Sequence, residues 1–460
     1  MPVTSRGRRP GTPLALSGDG ADGGGGTSLT MAVDRPCLKR SWRSLAVVAA
    51  VAALAVPGAA LGRGAPGGRA AARLTAASRP AAASRAALRP VRYRGYSFAV
   101  PRTWPVIDLA RRRRACVRFD RHAVYLGRPS RRQDCPSRLI GATEALLIQP
   151  AARSSARSSA RSSAEDPVAK QVTATAPGIR VTATFASDPG QIDRILASAS
   201  LPRPVIGEPR PARGATRPML PNRVTNYRGL GFDACAAPSA GYMSTWRRLS
   251  PYRAIGIYIG GSDRACAQPN LTPGWLRAAA AAGWHFLPLY VGPQAEFGQL
   301  SGTPGRQGTA AAGDAVAQAE RLGLGPATPL YYDMEAYPPS QAEAALRFLS
   351  AWTKRLHALG YASGIYSSSD AGVADLARQY TGHRFAMPDI IYDALWNGER
   401  NAADAVLRPG EWTDHHRVHQ YAGGLVHSYG GDAIAVDLDY LNVRLPAARL
   451  RAAGRRCASC

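Results

Sequence analysis

The stretch Pro329-Leu330-Tyr331-Tyr332-Asp333-Met334-Glu335 decides the reading of this chain. It is a short run of apolar and aromatic residues that ends in two acids spaced two apart, and an Ala/Leu-rich segment from Ser340 to Leu359, closed by Gly360, follows it. A run of this kind bounded by turn residues reads as a strand, and the longer segment reads as a helix stopped by glycine. Ser340 with Glu343 three residues on predicts a capping box at the helix start. Alternate residues on a strand share a face, so Asp333 and Glu335 are expected to point the same way.

The same order repeats on either side. Strands are predicted at Gly229–Ala234, Ala254–Ile259, Trp284–Val291 and Ala362–Ser367, each followed by a helical pattern. Three more fall at Ile390–Trp396, Val418–Tyr421 and Ala433–Asp437, with weaker helical signals between them. The connection Ala422–Asp432 is Gly-rich and reads as a hairpin-like excursion. Alternating strands and helices predict a parallel sheet. Eight strands in about 220 residues predict an α/β fold, a (β/α)8 TIM-type barrel over residues 227–450, with an open doubly wound sheet as the alternative.

Acids end three of the predicted strands: Asp233 on the first, Asp333 and Glu335 on the fourth, Asp437 and Asp439 on the eighth. The first and eighth strands of a barrel are neighbours, so all five become candidates for the C-terminal rim, where barrel enzymes keep their sites. Clustered carboxylates repel, and one member then holds its proton to higher pH. That split lets one carboxyl donate a proton while another stays charged, as glycoside cleavage requires. Tyr258, Tyr290, Tyr332, Tyr366, Trp396 and Tyr421 lie on or near strand ends and offer flat faces to sugar rings, and Gln420 is a candidate hydrogen-bond donor. No cofactor and no metal is expected. His415, His416 and His419 read as a solvated loop rather than a ligand set.

The remainder of the chain has a different character. Its formal net charge is +27, yet residues 228–450 carry 18 Lys+Arg against 19 Asp+Glu, so the excess lies in the flanks. Arginine in Ser/Ala/Pro-rich flanks suits contact with an anionic envelope, and no nucleic-acid partner is expected. Residues 1–30 are Gly- and Arg-rich and precede Met31, a candidate start that would leave them untranslated. Lys39, Arg40 and Arg43, the apolar run Leu45–Val56 and the small residues after it give residues 31–62 the pattern of a signal peptide, with cleavage near Ala60 or Gly62. The alternative is an uncleaved N-terminal anchor. Residues 63–91 are expected to be a disordered spacer, 92–201 a small α+β accessory domain, 202–226 a Pro/Arg-rich linker and 451–460 a basic tail. Ser154–Ala164 reads as a low-complexity loop. Six cysteines follow the signal in three local pairs, and pairing Cys116 with Cys135, Cys235 with Cys266 and Cys457 with Cys460 is expected in an oxidising compartment.

Several short motifs then carry a resemblance: Gly-Phe-Asp at 231–233, Tyr-Ile-Gly at 258–260, Asp-Met-Glu at 333–335, Gly-Ile-Tyr-Ser at 364–367, Trp396, His-Gln-Tyr at 419–421 and Val-Asp-Leu-Asp at 436–439. Residues from about 228 to 445 resemble the glycoside hydrolase-like domain of exported actinobacterial proteins, itself similar to the family 25 muramidases. The resemblance implies a barrel, with Glu335 as proton donor and Asp333, Asp233 and Asp437 as the accompanying catalytic acids. Where muramidases carry a small polar residue two positions after the first Asp, this chain has Cys235. The function so implied is a secreted hydrolase of peptidoglycan or another envelope polysaccharide. The competing reading is a catalytically weak module that binds envelope glycan through the same cleft.

Overall fold

A computed structural model describes residues 87–151, 160–186, 188–206, 219–300 and 302–445. The expected untranslated segment, signal peptide, most of the spacer, the centre of the Pro/Arg-rich linker, the Cys457–Cys460 pair and the basic tail lie outside the described residues. No described helix is long and apolar enough to cross a membrane.

The N-terminal unit contains β1 (Leu88–Tyr93), β2 (Tyr96–Pro101), β3 (Val106–Asp108), β4 (Val124–Leu126), β5 (Ala145–Pro150), β6 (Ser162–Asp166), β7 (Gln171–Ala176), β8 (Ile179–Thr184), α1 (Pro189–Ser198) and β9 (Val205–Ile206). β1 and β2 form a hairpin, and the others form a sheet in the order β3-β4-β5-β8-β7-β6-β9. Asp188 caps α1 by accepting from the Gln191 amide at 3.1 Å. Ile192, Ile195 and Leu196 of α1 share a core with Phe98 and Val100 of β2. The expected low-complexity loop is partly strand, because Ser162–Ala164 open β6 and pair with β7.

The barrel begins with β10 (Tyr227–Asp233), α2 (Ala240–Leu249), β11 (Ala254–Gly260), α3 (Pro273–Ala281), β12 (His285–Tyr290), α4 (Pro304–Leu322), β13 (Pro329–Asp333), α5 (Ala342–Ala358), β14 (Ala362–Ser368) and α6 (Gly372–Gln379). It ends with β15 (Ile390–Ala394), β16 (His416–Tyr429) and β17 (Asp432–Val443), and β10 to β17 close in sequence order. Ser239 and Thr272 cap α2 and α3, and Gly323 stops α4 in the left-handed region. The capping box expected at Ser340 does not form. Ser340 sits in a short 3-10 turn, and Glu343 pairs instead with Arg347 and Arg384.

The fold is not the (β/α)8 TIM barrel expected from the sequence. It is a closed eight-stranded barrel of mixed direction, in which helices follow only the first five strands. β16 and β17 are a long antiparallel hairpin, and β17 also pairs antiparallel with β10 to close the ring. The physical reason lies in the connection. Parallel strands need a crossover of about a dozen residues, whereas only Gly430-Gly431, both at positive φ, separate Tyr429 from Asp432. The chain can only reverse there, so the hairpin-like excursion expected over Ala422–Asp432 is the outer part of a β-hairpin, with Ala422–Tyr429 continuing β16.

Residues alternate between two environments. Tyr258, Leu287, Leu289, Tyr331, Tyr366, Tyr392 and Val418 fill the barrel interior. Phe232, Phe286, Tyr290, Tyr332, Ile365 and Tyr421 turn outward into the larger core that includes the helices. Three expected cleft residues, Tyr290, Tyr332 and Tyr421, are thereby corrected. Tyr290 is fully buried against Trp352, with its hydroxyl donating to Asp314 of α4 at 2.8 Å. Tyr421 is buried in the same outer core. Tyr290→Phe is expected to lower the unfolding free energy by about 1–3 kcal/mol, the range for losing a hydrogen bond to a buried acid. Urea denaturation measures it, and an unchanged midpoint would show that the Tyr290 hydroxyl does not hold α4 to the barrel.

Candidate active site

The five acids singled out from the sequence converge at one end of the barrel. In the β10–β17 register Asp233 lies opposite Asp437, and Gly231 opposite Asp439. Asp333 ends β13, and Glu335 follows just beyond it. Gly256 makes room for Asp233, since a Cβ there would meet the Asp233 Cβ at 2.5 Å. Asp233 and Asp333 are 1% exposed, and Asp437 and Asp439 0%. Glu335, at 13% side-chain exposure, is the most open of the five.

Asp233 is the best solvated by protein. Its carboxyl accepts from Tyr258 (2.9 Å), Gln420 (2.9 Å) and Tyr392 (3.2 Å). The Tyr392 hydroxyl also lies 2.7 Å from Asp439. A phenol has one proton to give, so it bridges the two acids without fully satisfying both. Gln420 is held by three neighbours: its carbonyl accepts from Tyr366 (3.1 Å) and from the Trp396 indole (2.9 Å), which directs its amide to Asp233. Asp437 accepts from the Gly424 amide at 2.6 Å. Asp333, Glu335, Asp437 and Asp439 each keep one buried oxygen without a hydrogen-bond partner among the described residues.

Burial drives all five carboxyls toward the protonated state. Desolvation lifts Asp233 to about 7, and the charge of Asp437 adds to the rise, while its three donors oppose it. Burial and then Glu335 push Asp333 well above the ordinary carboxylate range. Burial and then Asp233 do the same to Asp439. Asp437 is raised by burial against the Gly424 amide and the Ser137 hydroxyl. Glu335 is raised by burial, with Arg138 pulling the other way and Glu296 and Asp437 adding to the rise. Such a cluster can hold and pass protons near neutral pH.

Four contributors were not singled out from the sequence. Gln294 is fully buried and clamps the end of β13, donating to the Asp333 carbonyl at 2.7 Å and accepting from the Glu335 amide at 2.9 Å. Tyr392 could have been found from strand parity, two residues before Ala394 on β15. Ser137 and Arg138 could not, because they come from the N-terminal unit. The Arg138 guanidinium lies 3.3 Å from Glu335, donates to the Tyr366 hydroxyl at 3.1 Å and sits 5.6 Å over the Trp396 ring. Trp396 is 53% exposed at the rim. Gly423 lets it lie there, since a Cβ would come within 2.0 Å of the ring.

Of the expected sugar-binding residues, Tyr258, Tyr366, Gln420 and Asp439 are thus brought together with the acids, and Trp396 stands beside them. His419 is not in a solvated loop but is buried on β16, with its two ring nitrogens 2.8 Å from the carbonyls of Asn401 and Leu395.

The disulfides Cys116–Cys135 and Cys235–Cys266 form as expected. Cys116 Sγ lies 3.8 Å from Cys266 Sγ, so the two bridges touch where the N-terminal unit meets the barrel. Main-chain bonds reinforce this junction: Phe119 N–H to the Ala265 carbonyl (2.8 Å), Ala267 N–H to Val117 (3.0 Å) and Gly141 N–H to Asp263 (2.9 Å).

Residues 244–441 match the family described as Rv2525c-like, glycoside hydrolase-like domain. No curated protein shows significant sequence similarity. Among solved structures, an uncharacterised protein of B. stearothermophilus is 20% identical, over 46% of this chain and 95% of that one, with a TM-score of 0.34. The catalytic domain of the endolysin ply40, from bacteriophage P40 of Listeria monocytogenes, is 12% identical over 47% and 94%, with a TM-score of 0.30. The modular autolysin LytC of Streptococcus pneumoniae is 9% identical over 61% and 58%, with a TM-score of 0.32.

The protonation of the cluster has a consequence for stability. In the unfolded chain these acids titrate near ~4. Asp233 does so at about 7 in the folded protein, and the other four are also raised. Between those limits the folded state holds protons that the unfolded state has released, so stability is full below the unfolded pKa and is lost as pH rises through the folded one. The melting temperature is therefore expected to fall by several degrees from about pH 5 to about pH 8, and Asp233→Asn should flatten that slope. A melting temperature that rises across the window would show that the acids are ionised in the folded protein.

Proposed function

We propose that the barrel, which matches the Rv2525c-like glycoside hydrolase-like family over residues 244–441, cleaves a cell-envelope polysaccharide by carboxylate acid/base chemistry. The observation that carries this reading is the coexistence, at one barrel mouth, of Glu335 with a raised pKa and some access to solvent and of Asp233 held by three donors. Glu335 is the proton donor to the leaving oxygen. Asp233, Asp333 or Asp437 is the carboxylate that stabilises positive charge on the sugar or activates water. The exposed face of Trp396 offers an apolar platform for a sugar ring. Export fits the two disulfides, which persist in oxidising compartments, and the basic, apolar and small segments of residues 31–62.

One observation favours the second reading, a glycan-binding module of weak activity. Asp233, Asp333, Asp437 and Asp439 are almost completely screened from solvent, and Ser137 and Arg138 stand over Asp437 and Glu335. Retention on purified cell walls without release of soluble fragments would favour binding alone.

Glu335→Gln is expected to reduce the release of reducing ends from cell-wall glycan by about 10²–10⁴-fold, the usual worth of a general acid, with the melting profile retained. If the wild-type protein releases nothing from a broad glycan panel, the hydrolytic reading falls.

A further inference from the structure

Arg138 belongs to the N-terminal unit, yet its guanidinium lies among residues of the barrel. It is held from three sides, by Glu335 (3.3 Å), the Tyr366 hydroxyl (3.1 Å) and the Trp396 face (5.6 Å). Cys135, bridged to Cys116, fixes the main chain just before it, and the Ile140–Arg264 bridge and the Gly141–Asp263 bond fix the chain just after it. The residue is therefore placed by a rigid segment rather than by a free loop.

The ion pair uses little of what arginine offers. A guanidinium presents five N–H donors in a planar fork that suits two-point binding of a carboxylate. Both contacts with Glu335 and Tyr366 come through Nη1. Among the described residues Nε and Nη2 have no hydrogen-bond acceptor, and the Arg138 side chain is 34% exposed. The side chain is thus partly open to solvent beside the exposed ring of Trp396. Glu335, for its part, keeps one oxygen without a hydrogen-bond partner among the described residues.

We propose that Arg138 is a specificity-determining residue of the barrel site: its free edge binds a carboxylate carried by the glycan, while the adjoining sugar ring lies on Trp396. The inference rests on the glycan-directed reading of the site and names the substrate class as carboxylated glycan, whether a hexuronate or a lactyl-ether sugar. It also gives binding a chemical effect. The incoming carboxylate competes with Glu335 for the same cation, and as the Arg138–Glu335 interaction weakens Glu335 holds its proton more tightly. The substrate thus helps keep protonated the acid that gives its proton to the leaving oxygen. Neutral glycans would not do this.

The test is binding by the full chain to three probes: glycan strands stripped of peptide so that their lactyl carboxylates are free, the same strands with carboxyls reduced to alcohols, and an oligohexuronate. Wild type is expected to bind one or both carboxylated probes at least about tenfold more tightly than the reduced strands, which is the size of one charge-assisted contact. The stronger of the two identifies the source. Arg138→Gln should abolish the preference, and Arg138→Lys, which keeps the charge without the fork, should restore only part of it. Glu335→Gln should strengthen it, because the guanidinium is no longer shared, a gain that a merely structural arginine would not produce. Equal affinity for carboxylated and reduced probes, a preference that survives Arg138→Gln, or no binding to any probe overturns the proposal. Reducing-end release from the neutral strands without a carboxylate preference would remove this inference and leave the proposed function standing. A carboxylate preference with no release would do the reverse.

Discussion

Five carboxyl groups share one end of a barrel that is otherwise filled by tyrosine, leucine and valine, and the surrounding structure answers to that concentration of charge. An ionised carboxylate taken out of water without compensation is strongly unfavourable, and a second one beside it is worse. Three devices relieve the conflict. Protons stay on part of the set, as the raised Asp233, Asp333 and Asp439 indicate. Donors from several strands converge on what remains charged, most completely at Asp233. One cation arrives from outside the barrel. The chain of contacts from Arg138 through Tyr366 and Gln420 to Asp233 then links the cation to the acid on the opposite strand. Glu335 and Asp233 are thereby connected through three side chains, Arg138, Tyr366 and Gln420.

The reversal of the last strand matters to this arrangement in depth more than in position. Asp437 faces Asp233 in the observed register, at the rim. In a parallel strand, however, Asp439 would lie farther out than Asp437. Because β17 runs antiparallel to β10, Asp439 instead lies opposite Gly231, one layer deeper, where the Tyr392 hydroxyl reaches it. Asp437 keeps the outer place, beside the Gly424 amide supplied by the irregular pairing of β16. The hairpin thus separates two acids of one strand into an inner member tied to Asp233 and an outer member near Glu335.

These features were unequally legible in the sequence. Asp233, Asp333, Glu335, Asp437 and Asp439 could be found because each follows a short apolar run, and strand order alone brings such ends together. The first five helices were visible from their composition and from stops such as Gly323. The sixth barrel strand was legible, but the last two were taken as short parallel strands although Gly430-Gly431, between two alternating segments, is a hairpin turn that makes them long and antiparallel. Tyr290 was misplaced for a different reason. His285–Tyr290 is an unbroken run with few polar residues, and such a run gives no alternation from which to tell the inner from the outer face. Arg138 had no local signature at all, being one arginine among many in a basic unit, and only the folded junction shows which one meets Glu335.

That junction makes the N-terminal unit part of the site rather than an appendage. Cys116–Cys135 anchors the segment that carries Ser137 and Arg138, while Cys235–Cys266 ties the loop after Asp233 to the turn after β11, and the two bridges touch through Cys116 and Cys266. Main-chain bonds on both sides continue the contact. A barrel deprived of this unit would lose the cation that opposes protonation of both Asp333 and Glu335. Both acids would lose at once the cation that lowers them and part of the cover that raises them, and the Tyr366 hydroxyl would lose its donor. The isolated barrel is therefore not a smaller version of the same site but a different acid–base system, and the chemistry of this protein is a property of the two units together.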